Sequence, residues 1–192
     1  WTVAGRHAFD IGIVLLATLA MFFVLRRLVS PIYARADRWA VRNSTGGSLL
    51  LHRSIAILGS GLLDLAMVGL AWVAGYILAL FAFGEVSGAM DPRQTLFLNA
   101  FLLVESFKVL IRVLFAARYD ALRLLPMGAE SAAYWNAWFA RLAGFIGYGL
   151  MLVVPLVSEE ISAASGRVVT LLIMLMAFLY AWIIIRQNRD QV

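Results

Sequence analysis

Apolar segments long enough to cross a lipid bilayer dominate this sequence and restrict its fold more than any other feature. The longest runs from Ser54 to Phe83 and carries a single charge, Asp64. A spanning helix needs about 20 mostly apolar residues, because each residue adds about 1.5 Å and the hydrocarbon core is about 30 Å thick. This segment therefore spans the bilayer with tilt or extends past one face.

Repetition of this pattern predicts an all-α membrane protein with about five transmembrane helices and additional interfacial amphipathic helices. Hydrophobic residues make up 63% of the chain and charged residues 14%, against about half and about a quarter in globular domains. Arg26, Arg27 and Pro31 are expected to end the first helix, since proline removes a helical hydrogen bond. The predicted spans are residues 8–25, 54–83, 95–116, 141–157 and 167–185, and the predicted interfacial segments are residues 32–42 and 128–140.

The third predicted span carries Glu105, Lys108 and Arg112, whose spacings of three and four residues place them on one helix face. Charges in lipid are costly unless they are paired or buried against other helices. Antiparallel packing would bring Asp64 and Lys108 to similar depth, so we expect one buried cluster of these four residues between the second and third spans. Such a cluster could serve as an ion path, a proton relay or a charged hinge. The alternative is a neutralised network that only fixes the register of the helices.

Small residues in the second and fourth spans predict close contacts between helices, because small side chains let backbones approach each other in membranes. For the glycines of the fourth span, followed by Pro155, a gating hinge is the alternative. The candidate packing positions are Gly59, Gly61, Gly144, Gly147 and Gly149.

Basic and aromatic side chains beside the spans are typical of contact with lipid headgroups. For the basic segment 32–42 a plain cytoplasmic loop is the alternative, because positive loops need no other purpose. The predicted headgroup contacts are Arg26, Arg27, Arg35, Arg38, Trp39, Arg42, Tyr134, Trp135 and Trp138.

The distribution of arginine predicts the orientation in the membrane, because positively charged loops stay in the cytoplasm. With five spans, the loops on one side would hold ten arginines, and those on the other side would hold Arg6, Arg93 and Arg167. The N-terminus is therefore expected outside and the C-terminus in the cytoplasm. Because the chain starts at Trp1, we expect further sequence before it, including an export signal.

Several classes of site and partner are not expected. The chain has no cysteine, and His7 and His52 are isolated, so no metal site or cofactor is predicted. Neither a nucleophile nor a paired acid and base stands at a suitable depth for an enzyme, and Glu159 and Glu160 are interpreted as a polar turn. The net charge of +5 comes from arginines beside apolar spans, so nucleic-acid binding is not predicted.

Three stretches resemble the N-terminal membrane region of the large MscS-like mechanosensitive channels: QTLFLNAFLLVESFKVLIRVLF at 94–115, ESAAYW at 130–135, and IGYGL followed by VVP within 146–155. The resemblance implies a heptamer of the bacterial inner membrane that opens under tension and releases ions and small solutes on hypo-osmotic shock. In that family a later glycine- and alanine-rich helix lines the pore and a cytoplasmic β-rich domain follows. This chain would then be a peripheral, lipid-facing paddle, and ions would pass through a pore outside it.

A second hypothesis, from a different class, is part of a proton-coupled secondary transporter. Asp64, Glu105 and Lys108 would then couple protons to substrate movement. Such a transporter needs a second, similar half, and the sequence shows no internal repeat.

Overall fold

The computed structural model describes residues 3–42, 49–83, 90–115 and 128–187, which form a bundle of helices. No strand occurs within these ranges, so the prediction of an all-α membrane protein is confirmed. The helices are α1 (Val3–Arg42), α2 (Leu49–Phe83), α3 (Pro92–Phe115), α4 (Ala129–Tyr148), α5 (Val154–Glu160) and α6 (Ala163–Gln187), with a π-helical turn (Gly149–Val153) between α4 and α5.

Four helical stretches in these ranges are long and apolar enough to cross a membrane. They are Phe9–Tyr33, Ile57–Ala82, Glu130–Glu160 and Ala163–Gln187. The predicted third span corresponds to α3, which has 24 residues and is not among these four. This helix lies at the centre of the bundle and contacts α1, α2, α4 and the π-helical turn. Its first turn is well formed, since Pro92 suits that position and the Arg93 N–H donates to Asp91 Oδ1 at 2.8 Å.

Neighbouring helices run antiparallel. Gly75 of α2 lies against Thr18 of α1 and Leu98 of α3, whereas Asp64, about three turns earlier in α2, lies beside Arg112 of α3. In the same way, Phe139 in the middle of α4 lies beside Phe115 at the end of α3, and Gly147 near the end of α4 lies beside Val104 of α3. We call the end of the bundle that holds Arg27, Arg112, Arg141 and Arg186 the basic end.

The helices pack around an apolar core, and their outer faces are apolar as well. Val14, Phe22 and Phe101 are buried where α1 and α3 meet, and the Phe22 and Phe101 rings contact edge to face with centroids 5.7 Å apart. Large apolar side chains such as Phe81 and Phe178 stay exposed on the outside. A membrane helix has this distribution because lipid is as apolar as the protein core.

Two predicted boundaries are wrong. The first helix does not end near Arg27, since α1 continues through Pro31 to Arg42. The reason is a tertiary contact, because Tyr33 is buried two residues beyond the proline and donates a hydrogen bond to Asp64 of α2. The second boundary, between residues 140 and 141, lies inside α4, where alanine and arginine both favour helix.

The π-helical turn follows from Pro155. Proline has no N–H to donate, and its ring would collide with the carbonyl group four residues earlier in an α-helix. The Val154 N–H instead donates to the Gly149 oxygen, five residues earlier. The wider turn keeps the helix continuous from Ala129 to Glu160.

Candidate functional site

The charged side chains of α3 lie on one face and begin to pair within that helix. Lys108 Nζ donates to Glu105 Oε1 at 2.7 Å, and Arg112 Nε donates to the Lys108 backbone oxygen at 3.3 Å. Glu105 is buried at 8% exposure. The i, i+3 spacing makes the first contact possible without any other helix.

Asp64 joins three helices. Its Oδ2 lies 3.5 Å from Arg112 Nη1 of α3, and its Oδ1 accepts a hydrogen bond from the Tyr33 hydroxyl of α1. The structure therefore brings Asp64 to Arg112, and pairs Lys108 with Glu105 instead. The sequence argument placed Asp64 and Lys108 at similar depth from the helical rise alone. Which side chains pair also depends on how each helix is rotated about its axis.

Tyr148 extends the network to α4. Its hydroxyl donates to Glu105 Oε1 at 3.2 Å, and Lys108 Nζ lies 5.3 Å from the centroid of its ring. A Cβ atom on Gly144 would lie 3.1 Å from Lys108 Cε, so the absence of a side chain there leaves room for the lysine. We call Tyr33, Asp64, Glu105, Lys108, Arg112 and Tyr148 the charge network.

The charge network is neutral overall and can therefore remain buried. Its two carboxylates face its two bases, and two phenol groups supply further hydrogen bonds. A buried ion pair loses hydration on both sides, so additional donors are needed to offset the cost. The arrangement can hold α1, α2, α3 and α4 in one register, and it can respond when one of these helices is rotated or withdrawn.

The two tyrosines of the network were not among the sequence candidates. A phenol in an apolar helix resembles any other aromatic core residue, so the sequence contains no strong signal for it. The only indirect signal is that buried Asp64 and Glu105 require hydrogen-bond donors in addition to their bases, and tyrosine hydroxyl groups can supply them.

Four of the five predicted packing glycines lie against another helix. A side chain at Gly61 would meet Val113 of α3, and one at Gly149 would meet Ile173 of α6 at 2.9 Å. Gly147 faces Val104 in the same way, and Gly144 faces Lys108. Gly59 has no atom within 4 Å of its Cβ position in the part of the chain that the structure describes, since two residues turn a helix by about 200° away from Gly61.

The predicted headgroup residues fall into three groups. Arg26 is half-buried, whereas Arg27 and Arg35 are exposed. Tyr134, Trp135 and Trp138 are half-buried on α4, where the Trp138 ring packs 4.7 Å from that of Tyr180. The side chains of Arg38, Trp39 and Arg42 lie outside the described part of the structure.

The described ranges contain no group of three or more histidine, cysteine, aspartate or glutamate side chains close enough to hold a metal ion. Glu160 instead pairs with Arg93 at the end of the bundle opposite the basic end. This ion pair connects the start of α3 to the end of α5.

The chain is similar to a curated channel protein. Over 171 residues the chain is 30% identical to the moderate conductance mechanosensitive channel YbiO of Escherichia coli (strain K12). The alignment covers 89% of this chain and 23% of that protein, so the chain spans about a quarter of the length of its curated relative. No protein-family model and no solved structure matches the chain. The four long apolar helical stretches support a multi-pass location in the membrane.

Proposed function

We propose that these helices form a peripheral, tension-sensing region of an MscS-like mechanosensitive channel that releases ions and small solutes on hypo-osmotic shock. The observation that carries the proposal is the similarity to YbiO, which covers nearly all of this chain and a small part of that protein. The proposal includes a homo-oligomer, a heptamer by family resemblance, in a bacterial inner membrane. It also includes an N-terminus outside and a C-terminus in the cytoplasm.

The charge network supports a peripheral position. A conducting pore needs a continuous polar or wettable surface along its axis. The charges inside this bundle face one another across α1 to α4, and the outward faces of the spans are apolar, as at Phe81 and Phe178. Such a bundle offers its surface to lipid, and the pore of the proposed channel is formed elsewhere.

The same pairing weakens the transporter hypothesis. A proton-coupling carboxylate must alternate between protonated and ionised states as access changes. Asp64 and Glu105 each contact both a base and a phenol in this conformation, so both carboxylates are engaged with partners inside the bundle.

The length of α1 gives membrane tension a way to act on this region. The helix has 40 residues and a length of about 60 Å, which exceeds the thickness of the hydrocarbon core and carries its basic segment past one face. Arginine side chains there can hold anionic headgroups. Tension shifts gating only if these lipid contacts differ between the closed and open states.

Neutralising this basic segment tests the tension-sensing role. In the channel that carries this region, replacing Arg35, Arg38 and Arg42 together by glutamine is expected to change the tension for half-maximal opening and leave single-channel conductance unaltered. Arg186→Gln, at the end of α6, is the control. Patch recordings, with the variants present at matched abundance in the membrane, measure both the opening tension and the conductance. An unchanged threshold would reduce the segment to a topological anchor, and a changed conductance would place it near the permeation path.

A second experiment tests the peripheral assignment. Liposomes that contain only residues 1–192 are expected to show no tension-dependent current, because no helix surface in the described bundle supplies a water-filled path. Patch recordings under stepped suction measure this. Reproducible stretch-activated current steps would contradict a purely peripheral role.

A further inference from the structure

A cavity of about 430 Å³, which we call the crevice, lies between α1, α3 and α4 beside the charge network. Leu19 and Phe22 of α1 line its inner part, and Arg141, which is exposed, lies at its rim near the basic end. Phe22 is buried against Phe101, with the two ring centroids 5.7 Å apart. The apolar core therefore closes the crevice at its inner end, and the crevice offers no path across the membrane.

Half of the twelve residues that line the crevice are charged or polar. Groups of this kind are costly to bury in hydrocarbon, which offers them no hydrogen bonds. Ion pairs with Glu105 and Asp64 offset the charges of Lys108 and Arg112, yet they do not use all the donors and acceptors. The six polar lining residues are Arg26, Glu105, Lys108, Arg112, Asn136 and Arg141.

Two acceptors of the lining residues receive no hydrogen bond from the part of the chain that the structure describes. Asn136 Oδ1 is buried and has no partner there. Both hydrogen bonds to Glu105, from Lys108 and Tyr148, go to Oε1, which leaves Oε2 without a donor. A buried acceptor without a donor is destabilising, so these two atoms require a donor from within the crevice.

Water meets this requirement, whereas a hydrocarbon chain does not. The crevice has many times the volume of about 10–15 Å³ that one water molecule needs, and its wall supplies the polar partners that hold water in place. Water can donate to Asn136 and Glu105. It can also accept from the N–H groups of Lys108 and Arg112 that the hydrogen bonds within α3 leave unused.

We propose that the crevice is filled with water, which hydrogen-bonds Asn136 Oδ1 and Glu105 Oε2 and joins the charge network to the aqueous phase at the basic end. Lipid surrounds the bundle outside the crevice, where Phe23 and Phe145 are exposed at 60% and 46%. The charges of α3 thus meet water from one side of the membrane only. Water beside the network also lowers the cost of separating Lys108 from Glu105 when a helix moves, because it can replace a lost partner.

This inference goes beyond the proposed channel function and depends only on the membrane fold. A dry crevice would leave the tension-sensing proposal standing. In the same way, an unchanged opening tension in the arginine variants of α1 would leave the water-filled crevice standing.

Cysteine accessibility tests the inference, because residues 1–192 contain no cysteine. Leu19→Cys places a thiol in the inner part of the crevice, and Ala20→Cys places one at the same depth on the exposed surface of α1. The probe is sulfonatoethyl methanethiosulfonate, a water-soluble reagent that does not cross membranes. It is added to sealed membrane vesicles that contain the channel carrying this region, and peptide mass spectrometry measures the modification rate at each site.

The crevice thiol should react about ten-fold or more faster than the thiol of Ala20→Cys, because the reactive thiolate forms in water and not in hydrocarbon. Two further variants define the side from which the reagent arrives. Leu19→Cys should react from the side that also modifies Arg186→Cys, in the last turn of α6, and not from the side that modifies Ser162→Cys, just before α6.

Filling the crevice without changing its charge gives a second test. Gly144 lines the crevice, and a Cβ atom there would lie 3.1 Å from Lys108 Cε, so Gly144→Leu should displace water and slow the reaction of Leu19→Cys about five-fold or more. Gly12→Leu is the matched control, since within the described ranges no atom lies within 4 Å of its Cβ position. Circular dichroism of the purified variants establishes that each is folded.

A second pair of cysteines keeps the test decisive if Leu19→Cys does not fold. Ala140→Cys replaces a small side chain in the α4 wall of the crevice, and Phe139→Cys lies next to it on the exposed surface. The same difference in rate and the same side of access are expected for this pair.

Four outcomes would overturn the proposal. Equally slow reaction of Leu19→Cys and Ala20→Cys would show that hydrocarbon fills the crevice, and equally fast reaction would show that water surrounds this part of the bundle. Modification of Leu19→Cys from both sides of the membrane would show a path through the bundle in place of a blind crevice. Equal rates with Gly144→Leu and Gly12→Leu would show that the reagent arrives by another route.

Discussion

Replacement of Arg112 by methionine is expected to destabilise the folded bundle by about 3–5 kcal/mol. The change leaves Asp64, which is 7% exposed, without the base that its Oδ2 faces, and an uncompensated buried charge is far more costly than a lost contact. The double variant Asp64→Asn with Arg112→Met removes both charges and should recover most of the loss. The free energy of unfolding in detergent, measured by reversible denaturation, is the quantity to compare.

Arg167→Met is a suitable control for this cycle, because Arg167 is exposed at the start of α6 and should change stability by less than about 0.5 kcal/mol. A double variant as unstable as Arg112→Met would contradict the assigned partnership. The second pair gives a parallel test, since Lys108→Met should be rescued by Glu105→Gln and not by Asp64→Asn.

Replacement of Gly75 by leucine is expected to cost about 3 kcal/mol, near the upper end of the usual range for overpacking. Gly75 is the point where α2 is confined on two sides, because a Cβ atom there would overlap Thr18 of α1 and lie 2.8 Å from Leu98 Cδ2 of α3. If α2 moved away from one neighbouring helix to make room for the leucine, it would be pushed towards the other. Thermal unfolding in detergent, followed by circular dichroism, measures the loss.

Gly69→Leu separates this packing effect from the higher helix propensity of leucine. The two glycines lie in the same helix, and within the described residues no atom lies within 4 Å of the Cβ position at Gly69. This control should be as stable as the unmodified chain or slightly more stable. A similar loss in both variants would mean that α2 does not approach α1 and α3 closely at Gly75.

The presence of long apolar helices was predictable, because length and composition are sufficient to identify them. Residues 54–83 and 167–185 each lie within a single helix, and both sequences are apolar over about the thickness of the hydrocarbon core or more. The boundary at Pro31 could not be predicted, because the local effect of proline is outweighed by the contact between Tyr33 and Asp64, which are 31 residues apart.

Sequence reasoning found the four charged members of the charge network, but not its two tyrosines or the pairing of its charges. The cost of burying Asp64, Glu105, Lys108 and Arg112 requires that they meet, whichever helices carry them. Which base meets which acid depends on the rotation of α2 against α3, and that rotation is set by contacts such as Gly61 with Val113. The cavity of about 430 Å³ between α1, α3 and α4, beside the network, could not be predicted, since it arises from three helix faces far apart in sequence.

The π-helical turn sets the rotational phase between α4 and α5. Tyr148 and Glu160 are twelve residues apart, which would place them about 120° apart around a uniform α-helix of 3.6 residues per turn. The extra residue of the π turn rotates the later part back by about 100°, so the two side chains point within about 20° of each other. Both consequently reach α3, where Tyr148 meets Glu105 and Glu160 meets Arg93. One additional backbone residue thus keeps the two halves of one continuous helix aligned with the same neighbour.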